Sequence, residues 1–300
     1  MAENPPDLTG KTVCIRVFIA FWELLCYIVT NPPISGVLLY KRIFSMIETW
    51  NITIPELTGD TERRAYAYLP DALTNDPDGR FPVLYMFDGH NVFFDEDATY
   101  GKSWGMGDYL DACEIPLIVA AVECDHSPNH GRLSEYSPFS FQDHQFGRVT
   151  GRGRTTMEWI VHTFKPFVDA NFPTLPDRAS TWIAGSSMGG LMSLYALMDY
   201  NHVFSRAAAL SPSLWCAPDR VEQMIRHAHI GQDTVLYMDY GSRELGNHRR
   251  MLRQFSRVAG LLLERGVLLD CRIVPGGEHC EASWERQIPF FLNTLLYEWA

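Results

Sequence analysis

From Asn51 onward, short apolar runs alternate with longer stretches of helical periodicity. FPVLYMFDG (81–89) and PLIVAAVEC (116–124) are nearly continuous apolar segments, the pattern of strands buried on both faces. TWIAG (181–185), RAAALS (206–211), TVLYMDYG (234–241) and DCRIVPGG (270–277) continue the series. ITIPEL (52–57) and RRAYAYLP (63–70) read as an antiparallel pair joined by a Gly59-Asp60 turn. Helical periodicity falls at about 154–170, 188–200, 246–265 and 283–298. Strands alternating with helices of this length predict βαβ crossovers, hence an α/β fold with a mostly parallel central sheet and helices on both faces. Residues 125–153 break the rhythm. They are polar, rich in Gly, His and Ser, and too long for an ordinary connector, which marks them as part of a binding site.

The first 45 residues follow another pattern. Residues 13–30, VCIRVFIAFWELLCYIVT, are the most apolar stretch, yet they carry Arg16 and Glu23 and run into Pro32-Pro33. A membrane span wants about 20 mostly apolar residues, and a signal peptide wants an uncharged core with a small-residue cleavage site. The leading expectation is an amphipathic helix, buried or lying on a surface. A membrane anchor, with membrane contact through 13–30, and a true start at Met46 are the alternatives. Residues 1–45 are thus read as an extension and 46–300 as one catalytic domain, with no linker dividing 51–300.

Composition narrows the class. The 300 residues are 46% hydrophobic and 20% charged, which excludes disorder, collagen-like fibre and coiled coil. A net charge of −11 argues against nucleic acid as a partner. The seven cysteines are odd in number and lack C-x-x-C spacing, so they read as reduced core thiols of a cytoplasmic protein. Cys280, next to His279, is read as packing.

The strongest chemical signal is Gly185-Ser186-Ser187-Met188-Gly189, a G-x-S-x-G between an apolar strand and a helical run. That setting lifts a serine onto a strained turn at the top of a sheet. Ser187 is the candidate nucleophile; Ser186 is off the centre of the motif. A serine needs a base. Of His202, His227, His229, His248 and His279, only His279 follows a strand on a Gly-Gly-Glu turn. The acid should sit past another strand end. Glu244 is preferred over Asp239, because a loop group can reach the imidazole. The oxyanion hole would use the main-chain amides of Met188 and of His90 in the Asp88-Gly89-His90-Asn91 turn. No metal or organic cofactor is required.

These pieces, with VLYMFDGHNVF (83–93), YGKSW (100–104), RLSEYSP (132–138), LSPSLW (210–215), DYGSRE (239–244) and GGEHCEASW (276–284), resemble the putative-esterase branch of the α/β-hydrolases. That branch includes esterase D (S-formylglutathione hydrolase), feruloyl and acetylxylan esterases, enterochelin esterases and mycolyltransferases. The resemblance covers roughly 51–300 and implies an α/β-hydrolase fold. It also implies Glu244 as the acid, His279 of G-x-H-x4-W as the base, and the His90 amide as the second oxyanion donor. The expected activity is a serine esterase acting through an acyl-enzyme on a small-molecule ester, such as a feruloyl, acetyl-sugar or siderophore-type ester. An acyltransferase with the same triad, an S-formylglutathione-type thioesterase and a non-catalytic binding protein are the rivals. Phe93, Trp104, Tyr136, Phe139, Phe141 and Trp215 are candidates for an aromatic substrate wall, if they are not simply packing. Arg132, Arg148, Arg152 and Arg154 are candidates to receive an acidic substrate, with solvated charges or partners of Glu135 as the preferred reading.

Overall fold

The computed structural model describes residues 46–128, 130–244 and 248–297. The proposed amphipathic segment at 13–30 lies outside the described residues, as does the rest of the N-terminal extension. Eight strands form one sheet: β1 (Met46–Ile54), β2 (Gly59–Leu69), β3 (Val83–Met86), β4 (Ile118–Val122), β7 (Thr181–Ser186), β8 (Arg206–Leu210), β9 (Val235–Gly241) and β10 (Leu268–Val274). Their order is β1-β2-β4-β3-β7-β8-β9-β10. The first two strands are antiparallel to their neighbours and the remaining six run parallel. A small hairpin, β5 (Phe141–Asp143) with β6 (Gly147–Val149), stands apart.

Alternate residues of each central strand feed opposite layers, as the pleat requires. Val83 and Tyr85 join a core with the helices Gly153–Trp159, Lys165–Asn171, Met188–Asp199, Pro218–His227 and His248–Glu264. Leu84 and Met86 join a second core with Met106–Ala112 and Ile288–Leu295. Both faces are therefore covered, and this is an α/β-hydrolase arrangement. Among the described residues no helix is long and apolar enough to cross a membrane.

Several local expectations need correction. β1 and β2 are joined by a helical turn at Pro55–Thr58 and not by Gly59-Asp60, which already begin β2. Pro55 cannot donate to the ladder and suits the first position of a helical turn. The helix expected at 154–170 contains a wider turn at Ile160–Phe164, just before Pro166, whose missing N–H breaks the regular ladder. The C-terminal helix is two pieces, Glu281–Glu285 and Ile288–Leu295. The helices Met106–Ala112 and Pro218–His227 were not read at all. The thiols divide: Cys124 and Cys216 are buried, whereas Cys113 and Cys271 are exposed, so "core thiol" holds for only part of the set.

The topology selects the site. From β3 the chain crosses to β4 on one side, and from β7 it crosses to β8 on the other. The carboxyl ends of β3 and β7 therefore flank a switch point, where open α/β sheets form their crevice. Asp88-Gly89-His90 follows β3 and Ser187 follows β7.

Candidate active site

Ser187 occupies a strained turn between β7 and the buried helix Met188–Asp199, with φ 58° and ψ −117°. A non-glycine residue holds such a backbone only when its surroundings enforce it. Here the Ser187 amide donates to Leu210 O and the Ser187 carbonyl accepts from the Ser213 amide, so β8 clamps the turn from one side. Gly185 is required because a Cβ there would meet the Gly189 backbone at 2.8 Å. The side-chain hydroxyl stands 2.9 Å from His279 Nε2 and 3.4 Å from Ser213 Oγ.

His279 Nδ1 lies 2.9 Å from Glu244 Oε2. A carboxylate can only accept, so the proton of the neutral ring sits on Nδ1, and Nε2 is free to accept from Ser187. Glu244 is 9% exposed. Its other oxygen accepts from the Gly241 amide (2.7 Å) and from the Ser211 hydroxyl. The Ser211 hydroxyl in turn accepts from Trp284 Nε1 at 3.0 Å, and the Trp284 ring stands edge-on to His279 at 5.0 Å. The loops carrying acid and base touch through their backbones: the Arg243 amide donates to Gly277 O, and a Cβ on Gly241 would meet that oxygen at 2.4 Å.

Asp239, the alternative acid, faces elsewhere. It accepts from the Ser211 amide and the Tyr237 hydroxyl, both at 3.0 Å. Burial pushes its carboxyl up to about 7, against those two hydrogen bonds. Asp239 thus shapes the turn that presents Ser211, and Ser211 is a residue the sequence reading did not single out. The only signal for it was its place in LSPSLW.

The amides expected to hold an oxyanion both border the same cleft, which measures about 870 Å³ and contains Ser187, His279, His90 and Met188. Met188 is the first residue of its helix, whose leading amides have no acceptor within the helix. His90 lies in the short helical turn Gly89–Asn91, ahead of its first closed bond, Asn91 N–H to Asp88 O. Trp215, Phe146, Tyr100, His126 and His130 line the remaining wall, so the 125–153 loop does reach the cleft.

The other substrate-contact candidates are not all brought here. Trp104 is buried and packs against Trp284 and Phe291, on the border of a separate cleft. Phe93 shares that layer. Tyr136 lies beneath the site, its hydroxyl accepting from the Asp88 amide at 3.2 Å. Phe139 and Phe141 pack on Tyr195 and Trp215. Arg132 borders the cleft, but its guanidinium grips Asp88 through two hydrogen bonds of 2.6 and 2.7 Å. Burial pushes the Asp88 carboxyl up, yet the Arg132 charge outweighs this and holds it below its ordinary value. Glu135 pairs instead with buried Arg63, and Arg152 caps the Glu56 and Leu57 carbonyls. Arg154 approaches Glu158, and Arg148 is an exposed residue of the hairpin.

A doubly covered parallel sheet with a strained serine at its switch point defines the α/β serine-hydrolase class. Within it, residues 58–293 match the family model described as Putative esterase, and the chain belongs to that family. It is a carboxylic ester hydrolase. It is 26% identical over 249 residues to the uncharacterized protein YbbA of Bacillus subtilis (strain 168), covering 79% of this chain and 92% of that one. A solved structure described as a ferulic acid esterase superposes with a TM-score of 0.62 at 14% identity, over 85% of this chain and 98% of that one. The enterobactin and salmochelin hydrolase IroE gives a TM-score of 0.61 at 19% identity, over 85% and 96%. At such identities the structural likeness concerns the fold.

Proposed function

We propose that the protein hydrolyses carboxylic esters through a Ser187–His279–Glu244 triad, within a catalytic unit that begins near Met46. The observation that carries this reading is the unbroken chain of hydrogen bonds from Ser187 Oγ through both nitrogens of His279 to Glu244. Ser187 Oγ attacks the ester carbonyl while His279 Nε2 takes its proton. The Met188 and His90 amides receive the developing oxyanion. The tetrahedral adduct collapses as His279 returns that proton to the leaving alcohol. Water, deprotonated by the same ring, then attacks the acyl-enzyme and releases the acid and Ser187. Glu244 orients the ring and stabilises the imidazolium without taking the proton.

For substrate, the reading is an ester with a planar, aromatic acyl group. Trp215 and Phe146 stand on the cleft wall with ring centroids 6.2 Å apart and planes 26° from parallel, a surface suited to a flat ring. The fold-mate described as a ferulic acid esterase fits that direction. Hydrolysis of p-nitrophenyl and feruloyl esters by wild type and Ser187→Ala, with fluorophosphonate labelling, tests it. Loss of a nucleophile should lower kcat by roughly 10⁴–10⁶-fold and abolish labelling. Undiminished turnover by Ser187→Ala sinks the triad. Equal kcat/KM for acetyl and feruloyl esters sinks the aromatic preference alone.

A further inference from the structure

The cleft wall opposite His279 carries a second cluster of chemically capable side chains. His90, Cys124 and His126 each bring a donor atom within 4.8 Å of the other two. The turn after β3 supplies His90, and the segment leaving β4 supplies Cys124 and His126. β3 and β4 are hydrogen-bonded neighbours, so the cluster follows from the sheet order.

His90 gives this grouping a direction. Its ring is 4% exposed, and Nδ1 is buried with no partner. Nε2 lies 3.0 Å from the Thr99 hydroxyl. With the proton on Nε2, donated to Thr99, Nδ1 presents a bare lone pair. Ligating histidines are fixed in this manner, one nitrogen held by a hydrogen bond and the other left to the ion. The His126 ring stands against that of His90 at 4.6 Å, tilted by 70°.

We propose that His90, Cys124 and His126 form a site for a borderline-soft divalent cation of the zinc type, with its fourth position open to the cleft. Two imidazoles and a thiolate are the donors such ions select, and three protein ligands leave one tetrahedral position for water or another ligand. Donors around a tetrahedral zinc stand about 3.3–3.6 Å apart. The observed spread therefore needs a closing movement of about 1 Å. His126 supplies it, because it is exposed while its two partners are buried.

Binding has a defined balance. The Cys124 thiol gives its proton to solvent and its sulfur forms the bond to the metal. Each ion taken up releases one proton.

Activity is a poor readout, because the proposed site borders the same cleft as Ser187 and His279, where an ion can alter turnover in either direction. The test is Co²⁺ titration of the reduced full chain, watched at the thiolate-to-cobalt charge-transfer band and followed by Zn²⁺ displacement. Wild type and Cys280→Ser should both reach the band at one equivalent, and Cys124→Ser should lose it. His126→Ala, at an exposed position, should weaken Co²⁺ binding by about 10–100-fold. A band that survives Cys124→Ser, no band in wild type, or unchanged affinity in His126→Ala each overturns the site.

Discussion

On one side of Ser187, the loops after β9 and β10 bring Glu244 and His279 together in a network whose bonds all point inward. Glu244 spends one oxygen on Gly241 and Ser211 and the other on His279, and Trp284 closes the ring of contacts through Ser211. On the other side, the loops after β3 and β4 are held by ion pairs, Arg132 on Asp88 and Arg63 on Glu135, and leave His90 Nδ1 buried without a partner. The first wall is arranged to hold one proton-transfer geometry. The second borders the same cleft with the Arg132–Asp88 pair and with a ring whose Nδ1 has no partner. The two walls thus come from different pairs of neighbouring strands, β9 and β10 on one side and β3 and β4 on the other.

The sharpest way to break this division is at Glu244. Replacing it with Gln keeps the shape but offers an N–H where His279 needs an acceptor, so the ring is held in the wrong tautomer. The expected loss in kcat is about 10³–10⁴-fold, with KM little changed. Asp239→Asn should cost far less, because Asp239 reaches His279 only through the Ser211 turn. If Asp239→Asn were the more damaging of the two, the acid would have to be reassigned and the two-wall picture would fail.

The same comparison shows what the chain discloses before it folds. β3, β4, β7, β8 and β9 were legible because a buried parallel strand must be apolar throughout, and the segments at 81–89, 116–124, 181–185, 206–211 and 234–241 are. The acid–base wall was legible because its residues sit immediately past such strand ends, where Gly241 and Gly277 punctuate the chain. The helix Pro218–His227 escaped notice because its polar and charged residues hide a narrow apolar stripe of Val221, Met224 and Ile225. Trp104 and Tyr136 were mistaken for cleft residues because an aromatic side chain near a strand end carries no mark of which layer it enters. The cluster at His90, Cys124 and His126 could not be seen at all. It depends on β3 lying beside β4, a pairing that no local spacing records.

The second wall yields to Arg132→Met. This removes the partner of a buried carboxylate, and an unpaired buried charge is expensive, typically 3–5 kcal/mol. Arg132 keeps about a third of its side chain open to solvent, so the expected loss is smaller, about 2–3 kcal/mol in urea denaturation. Adding Asp88→Asn should recover much of it, since the stranded charge is then gone. A double variant no more stable than Arg132→Met would mean that Arg132 holds this wall by packing on Tyr136, whose ring lies 5.4 Å away, and not by charge.

The smallest effect is expected on the first wall and appears only as a slope. Asp239 has its carboxyl raised to about 7 by burial, with Glu244 nearby adding to the push. An acid raised in the folded state binds its proton more tightly there than in the unfolded chain, where it titrates near 4. Its contribution to stability is therefore complete below about pH 4 and is lost as the pH rises through 7. Asp239→Asn removes that titration while an amide oxygen can still accept from the Ser211 amide. Denaturation midpoints of wild type should fall between pH 4 and pH 8 relative to the variant, by the equivalent of about 1–3 kcal/mol. Parallel profiles across that range would mean that Asp239 is ionised throughout, held by Tyr237 and Ser211 more firmly than its burial opposes it. The first wall would then hold the Asp239 charge on hydrogen bonds from Tyr237 and Ser211, whereas the second wall balances Asp88 with the Arg132 guanidinium.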